Sequence, residues 1–107
     1  MDNSKKIYIE QLENNRNRQE MLKNELLLLP IGHINTLYRN GKGYYYLTYR
    51  NGKKINNDYL GPAGKADLRE IMEKLKKRED IKKEIKNLKE EEKELKKKIG
   101  RRRKNVS

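Results

Sequence analysis

The pentapeptide Tyr-Arg-Asn-Gly-Lys occurs twice in this chain, starting at Tyr38 and at Tyr49, and it leaves few folds open to the residues around it. Asn-Gly is a preferred centre for a two-residue hairpin turn, because both central residues must take positive φ. Between the two turns lies Tyr44-Tyr45-Tyr46-Leu47-Thr48-Tyr49, a run of strand character. Six of the seven tyrosines fall between Tyr38 and Tyr59. The pattern predicts a three-stranded antiparallel β-meander, with strands at about 34–39, 44–50 and 53–60. With Asn51-Gly52 as the second turn, Thr48 would oppose Ile55, Leu47 would oppose Asn56, and Tyr46 would oppose Asn57. Alternation then puts Ile34, Thr36, Tyr38, Tyr45, Leu47, Tyr49 and Leu60 on one face. The other face takes Leu37, Arg39, Tyr44, Tyr46, Arg50, Lys53, Ile55 and Tyr59. The first set is the more aliphatic and the less charged, so it is expected to face the core. A one-residue slip would exchange the two.

Helical periodicity flanks this segment. Tyr8, Leu12, Asn15, Gln19, Leu22, Leu26 and Leu29 follow alternating steps of four and three, a heptad seam with two polar layers. Ser4 is the expected N-cap, and Pro30 with Gly32 the stop. After the break Gly61-Pro62-Ala63-Gly64, Asp67 and Glu70 have capping-box spacing. A helix is expected from there to Ile99, about 32 residues or roughly 48 Å, with Gly100 as its C-terminal stop. Leu68, Ile71 and Leu75 form one seam; Ile81, Ile85, Leu88, Leu95 and Ile99 form another. The step from Leu75 to Ile81 breaks the heptad, so the helix should change its buried face or kink near Arg78. Its first third is expected on the sheet and the rest against the N-terminal helix. The organisation read from the sequence is 1–30 heptad helix, 31–64 meander, 65–100 long charged helix and 101–107 basic tail.

Charge narrows the function classes. The chain of 107 residues carries +12, with 41% charged and 33% hydrophobic residues, which allows only a small core. Residues 1–30 are neutral, residues 31–64 carry +4 and residues 65–107 carry +8. With no Cys and one His, disulfides and an ordinary zinc site are excluded, and neither a metal nor another cofactor is expected. The absence of a signal-type apolar segment makes the cytoplasm the default location. No apolar run reaches membrane-spanning length, and a membrane-surface role is disfavoured by the acids on the long helix. Ser-His and Cys-His catalysis cannot be assembled from His33, Ser4 and Ser107, so the chain reads as non-enzymatic. Glu90, Glu91 and Glu92 read as solvated ion-pair partners. Arg39, Lys42, Arg50, Lys53 and Lys54, interleaved with Tyr44 and Tyr46, combine cations for phosphates with rings that stack on bases. Arg101, Arg102 and Arg103 in the tail would add affinity for DNA or RNA. The competing reading of the sheet is a structural one, with Tyr serving cross-strand packing and Lys blunting exposed edges.

The stretch 44–54 followed by Tyr59-Leu60-Gly61 resembles a hairpin found in small uncharacterised prokaryotic and mobile-element proteins, where it precedes a charged helix, and in the N-terminal region of some transposases. The order of three strands and a helix over residues 33–75 is also similar to the AP2-like arm-binding domains of phage integrases. That resemblance implies a sheet laid in a major groove, with Arg39, Tyr44, Tyr46, Arg50 and Lys53 as the implied positions. No recombinase catalytic region follows, so no catalytic role carries over. The expectation is an α+β protein: N-terminal helix, three-stranded antiparallel meander and long C-terminal helix, the helices pairing as a coiled coil within one chain or through a homodimer. Its expected function is nucleic-acid binding (DNA-binding or RNA-binding) in a phage or other mobile element. The rival is a small inhibitor of a host nuclease, as anti-CRISPR proteins are, held by an acidic surface or nucleic-acid channel of its protein partner. A coiled-coil assembly protein is a third reading.

Overall fold

The seven-residue rhythm of the first thirty residues and the two-residue rhythm of the tyrosine segment end up in different compact units. The computed structural model describes the backbone of residues 3–106 and side chains over residues 3–100. The fold is α+β, in the order α1 (Ser4–Leu27), β1 (His33–Arg39), β2 (Lys42–Asn51), β3 (Lys54–Pro62) and α2 (Arg69–Val106). One unit comprises Met1–Leu28 with Asp80–Ser107, and the other Leu29–Glu79. The division between the units therefore falls inside α2, at the break in its heptad pattern, as well as after α1.

In the helical unit α1 and α2 run antiparallel, and the α1 seam is withdrawn from solvent as its spacing predicts. Asn15, Gln19 and Leu22 are buried, and Tyr8, Leu12 and Leu26 are half-buried. Leu22 is 1% exposed. On α2, Ile81, Ile85 and Leu95 are buried, with Leu88, Glu92 and Ile99 half-buried between and beyond them. Glu92 is thus a seam residue, which corrects its reading as a solvated partner. It lies four residues after Leu88 and three before Leu95, so helical geometry turns it inward.

What it meets is the polar pair on α1. Gln19 Nε2 donates to Asn15 Oδ1 at 2.6 Å and to Glu92 Oε1 at 3.2 Å. Arg16 Nε donates to Glu92 Oε2 at 2.9 Å, and Asn15 Nδ2 donates to the Leu88 carbonyl at 2.8 Å. Farther along, Arg18 grips Glu84 with two N–H groups, at 2.8 and 3.3 Å. Lys98 lies 5.1 Å from the Tyr8 ring centre. The two polar layers are therefore satisfied within one chain.

These bonds make the helix pair sensitive to acid. Arg16, and after it Gln19, holds the Glu92 carboxyl below the usual carboxylate range; Arg18 does the same for Glu84. A carboxyl whose folded pKa lies below its unfolded value, about 4.3, stabilises the fold above that value and ceases to as pH falls through its folded pKa. The urea midpoint at 222 nm is expected to hold from about pH 7 to 5 and to fall below about pH 4. In Glu92→Gln the fall should be shallower. An acid profile identical to that of the unchanged protein would contradict the role given to Glu92.

Both helix starts differ from expectation. Ser4 is the first helical residue; Asn3 occupies the N-cap position in a helical conformation and makes no side-chain cap bond. α1 ends at Leu27, where the Leu28 N–H donates to the Glu25 carbonyl. Leu29 precedes Pro30 and is thereby disfavoured in helix, so the expected last seam residue leaves α1. At the start of α2, Asp67 Oδ1 accepts from the Arg69 N–H at 3.1 Å. Glu70 pairs forward with Lys74 at 3.0 Å and does not complete a capping box. α2 also runs through Gly100 to Val106, so Gly100 is not its stop.

In the sheet unit the strand order is β1-β2-β3. The first turn is as expected: Arg39 opposes Lys42, with Asn40 at φ 52° and Gly41 at φ 75°. The second is not. Asn51 opposes Lys54, leaving Gly52-Lys53 at the turn centre with Gly52 at φ 64°. Glycine in the first central position needs only that one positive φ, as in a type II′ turn, so no strain falls on Lys53. The β2–β3 register consequently moves by two residues: Thr48 opposes Asn57, Leu47 opposes Asp58 and Tyr46 opposes Tyr59. An even shift leaves the faces intact.

A bulge follows. Tyr46 pairs with Tyr59 but Tyr45 pairs with Gly61, so Leu60 is the extra residue of the bulge, and it is half-buried. On the expected core face Leu47 is 7% exposed, and Ile34, Tyr45 and Tyr49 are half-buried. Thr36 and Tyr38 at its far end are exposed, Tyr38 by 74%, so the core covers only part of that face. In the same unit Leu68, directly before α2, and Ile71, Leu75 and Arg78 within it are half-buried, a row with helical spacing. Arg78 takes the position where an apolar residue is missing, and α2 stays helical through it.

Candidate nucleic-acid interface

The opposite face of the sheet is built on the alternation of β2. Lys42, Tyr44, Tyr46, Thr48 and Arg50 point to one side, over about 26 Å at strand spacing. Across β1 they oppose Arg39, Leu37, Asn35 and His33; across β3, Tyr46, Thr48 and Arg50 oppose Tyr59, Asn57 and Ile55. Three of the predicted cations, Arg39, Lys42 and Arg50, and both predicted tyrosines share this surface. Lys54 pairs with Asn51 and belongs to the other face, and Lys53 sits in the turn. The side chains of Arg101, Arg102 and Arg103 lie outside the described residues.

The centre of the face is ordered by its own contacts. The Tyr46 and Tyr59 rings lie 5.3 Å apart, and Tyr44 and Tyr59 lie 6.4 Å apart, both tilted. This geometry favours contact between ring edges and faces. Beside them a polar ladder crosses all three strands. Asn35 Nδ2 donates to Thr48 Oγ1 at 3.0 Å, and Thr48 Oγ1 donates to Asn57 Oδ1 at 2.7 Å. Tyr59 remains 56% exposed and Ile55 61%, while Tyr44 and Tyr46 are half-buried.

Electrostatically the face has one sign. Asp58, the only carboxylate of the sheet, opposes Leu47 and so lies on the other side. Arg39, Lys42 and Arg50 are exposed, and among the described residues they form no ion pair. The arrangement presents unneutralised guanidinium and ammonium groups around an aromatic centre. Such a surface can hold phosphates at its ends and a flat ring at its middle.

Tyr59, Asn35 and Asn57 were not among the predicted site residues. Tyr59 was legible from its parity with Ile55 on the same strand. The asparagine ladder was not, because it exists only in a register two residues away from the one the Asn-Gly turn implied. The fold and this surface define a small α+β protein with a basic, tyrosine-centred sheet face. No family model, curated protein sequence or solved structure matches the chain. Among the described residues no helix is long and apolar enough to cross a membrane.

Proposed function

We propose that the protein is a non-enzymatic nucleic-acid-binding module, with Arg39, Lys42 and Arg50 holding phosphates and the Tyr44-Tyr46-Tyr59 group packing against sugar or base. The observation that carries this reading is the separation of charge across the sheet: three unpaired cations on one face, and the lone carboxylate on the other. A structural sheet has no need to leave its cations unneutralised around exposed aromatic surface. The helix pair, read as an antiparallel coiled coil closed within one chain, has the role of a scaffold.

Fluorescence anisotropy with single- and double-stranded oligonucleotides of about twenty bases tests the reading across a salt series. Log affinity should fall linearly with log salt, with a slope of about −3 for three phosphate contacts to a duplex and a slightly shallower one for a single strand. A flat salt dependence, or equal weak binding to every polyanion including heparin, would discard it in favour of a protein-directed inhibitor.

A further inference from the structure

A second surface lies wholly within the helical unit and is independent of the nucleic-acid reading. Leu26, near the end of α1, and Ile85 on α2 floor an open groove of about 500 Å³. Lys86, Lys89 and Lys93 line it, with Glu90 the one carboxylate in its wall. These lysines step by three and four, so they follow one edge of α2 for about 10 Å. Their methylene stems extend the apolar floor while the ammonium groups stand in water.

Three other lysines of α2 carry ion pairs. Lys74 meets Glu70, Lys96 meets Glu92 and Lys97 meets Glu94. Lys86, Lys89 and Lys93 form no ion pair among the described residues. Leu27 and Leu28, directly after Leu26, are 83% and 86% exposed. Large aliphatic side chains thus stay in water at the end of α1, next in the chain to the Leu26 of the groove floor.

We infer that this groove receives an acidic amphipathic helix of a partner protein. Leucine-type side chains one turn apart would fill the apolar floor, and flanking carboxylates would meet the lysine edge. A second copy of the chain fits worse, since a two-fold contact would bring the lysine edges of two +12 chains together. A phosphate backbone would satisfy the lysines and leave the floor in water.

The test uses the full chain and a fluorescein-labelled synthetic peptide of about fourteen residues, with leucines at helical spacing and glutamates on the flanks. It is expected to bind at least about tenfold more tightly than a scrambled peptide of equal composition, or one with lysine flanks. Amide shifts should centre on Leu26, Ile85, Lys86 and Lys89. Combined Lys86→Glu, Lys89→Glu and Lys93→Glu should lose about tenfold or more, and the glutamine triple less, with far-UV circular dichroism unchanged. Binding should survive Arg39→Ala with Arg50→Ala, which separates this groove from the sheet face. Equal binding of the scrambled peptide, indifference to the lysine substitutions, or sedimentation showing that the peptide dissociates a self-associated form would overturn the inference.

Discussion

Replacing Arg39, Lys42 and Arg50 together by alanine is expected to lower affinity for a short duplex by roughly 10²-fold at low salt and to flatten its salt dependence. Each cation that neutralises a phosphate contributes about 0.9 to the log–log slope, so losing three should bring it close to zero. A 10²-fold loss over three contacts corresponds to about 1 kcal/mol per contact, since tenfold in affinity is about 1.4 kcal/mol. The three residues suit the test because they are exposed and form no ion pair among the described residues, so their truncation leaves no buried charge behind. Thermal melting should move by only a few degrees. The matched control is Lys54→Ala, on the opposite face, which should alter the slope little. If the control and the triple variant weaken binding equally, total charge governs the interaction and the sheet face has no special part in it.

The second large effect is on stability. Leu22→Ala is expected to cost about 3–4 kcal/mol, since it removes the most buried side chain and leaves a cavity between helices that relax only in part. Among the described residues few other buried apolar groups share the load: Ile81, Ile85 and Leu95 in the same unit, and Leu47 in the sheet. A chain of this size has about 5–15 kcal/mol in all, so the loss is a large fraction of it. The helical transition at 222 nm should fall by about 15 °C or more. Tyrosine fluorescence offers a contrast, because six of the seven tyrosines lie in the sheet segment and only Tyr8 in the helical unit. The tyrosine signal should move less than the helical one. Leu22→Met conserves volume and should cost less than about 1.5 kcal/mol. A loss below 1 kcal/mol for the alanine variant would mean that Leu22 does not hold the pair together.

Much of the candidate site was legible because strand alternation is a local property. Lys42, Tyr44, Tyr46 and Arg50 share a face whatever β2 pairs with, and Arg39 joins them through a first turn that forms in the Asn-Gly register. The second turn misled for a definite reason. Gly52 supplies positive φ equally well as the last residue of an Asn-Gly centre or as the first of a Gly-Lys centre, and the two differ by two residues along β3. No local preference separates them; the ladder of Asn35, Thr48 and Asn57 and the Tyr46-Tyr59 contact are made only in the observed register. The same limit hid Glu92. Its position on the seam could be counted, but its acceptance of Arg16 and Gln19 depends on where a distant helix lies.

Local chemistry in the chain thus determined the element order, the strand faces, the heptad seam from Tyr8 to Leu26 and the crowding of cations around tyrosines, since each follows from the spacing of neighbouring residues. Tertiary structure alone decided the β3 register and bulge, the acceptance by Glu92 of bonds from Arg16 and Gln19, and the continuation of α2 past Gly100. Those outcomes depend on pairings between residues far apart in the chain, where several arrangements satisfy the local rules equally and only the sum of contacts selects one.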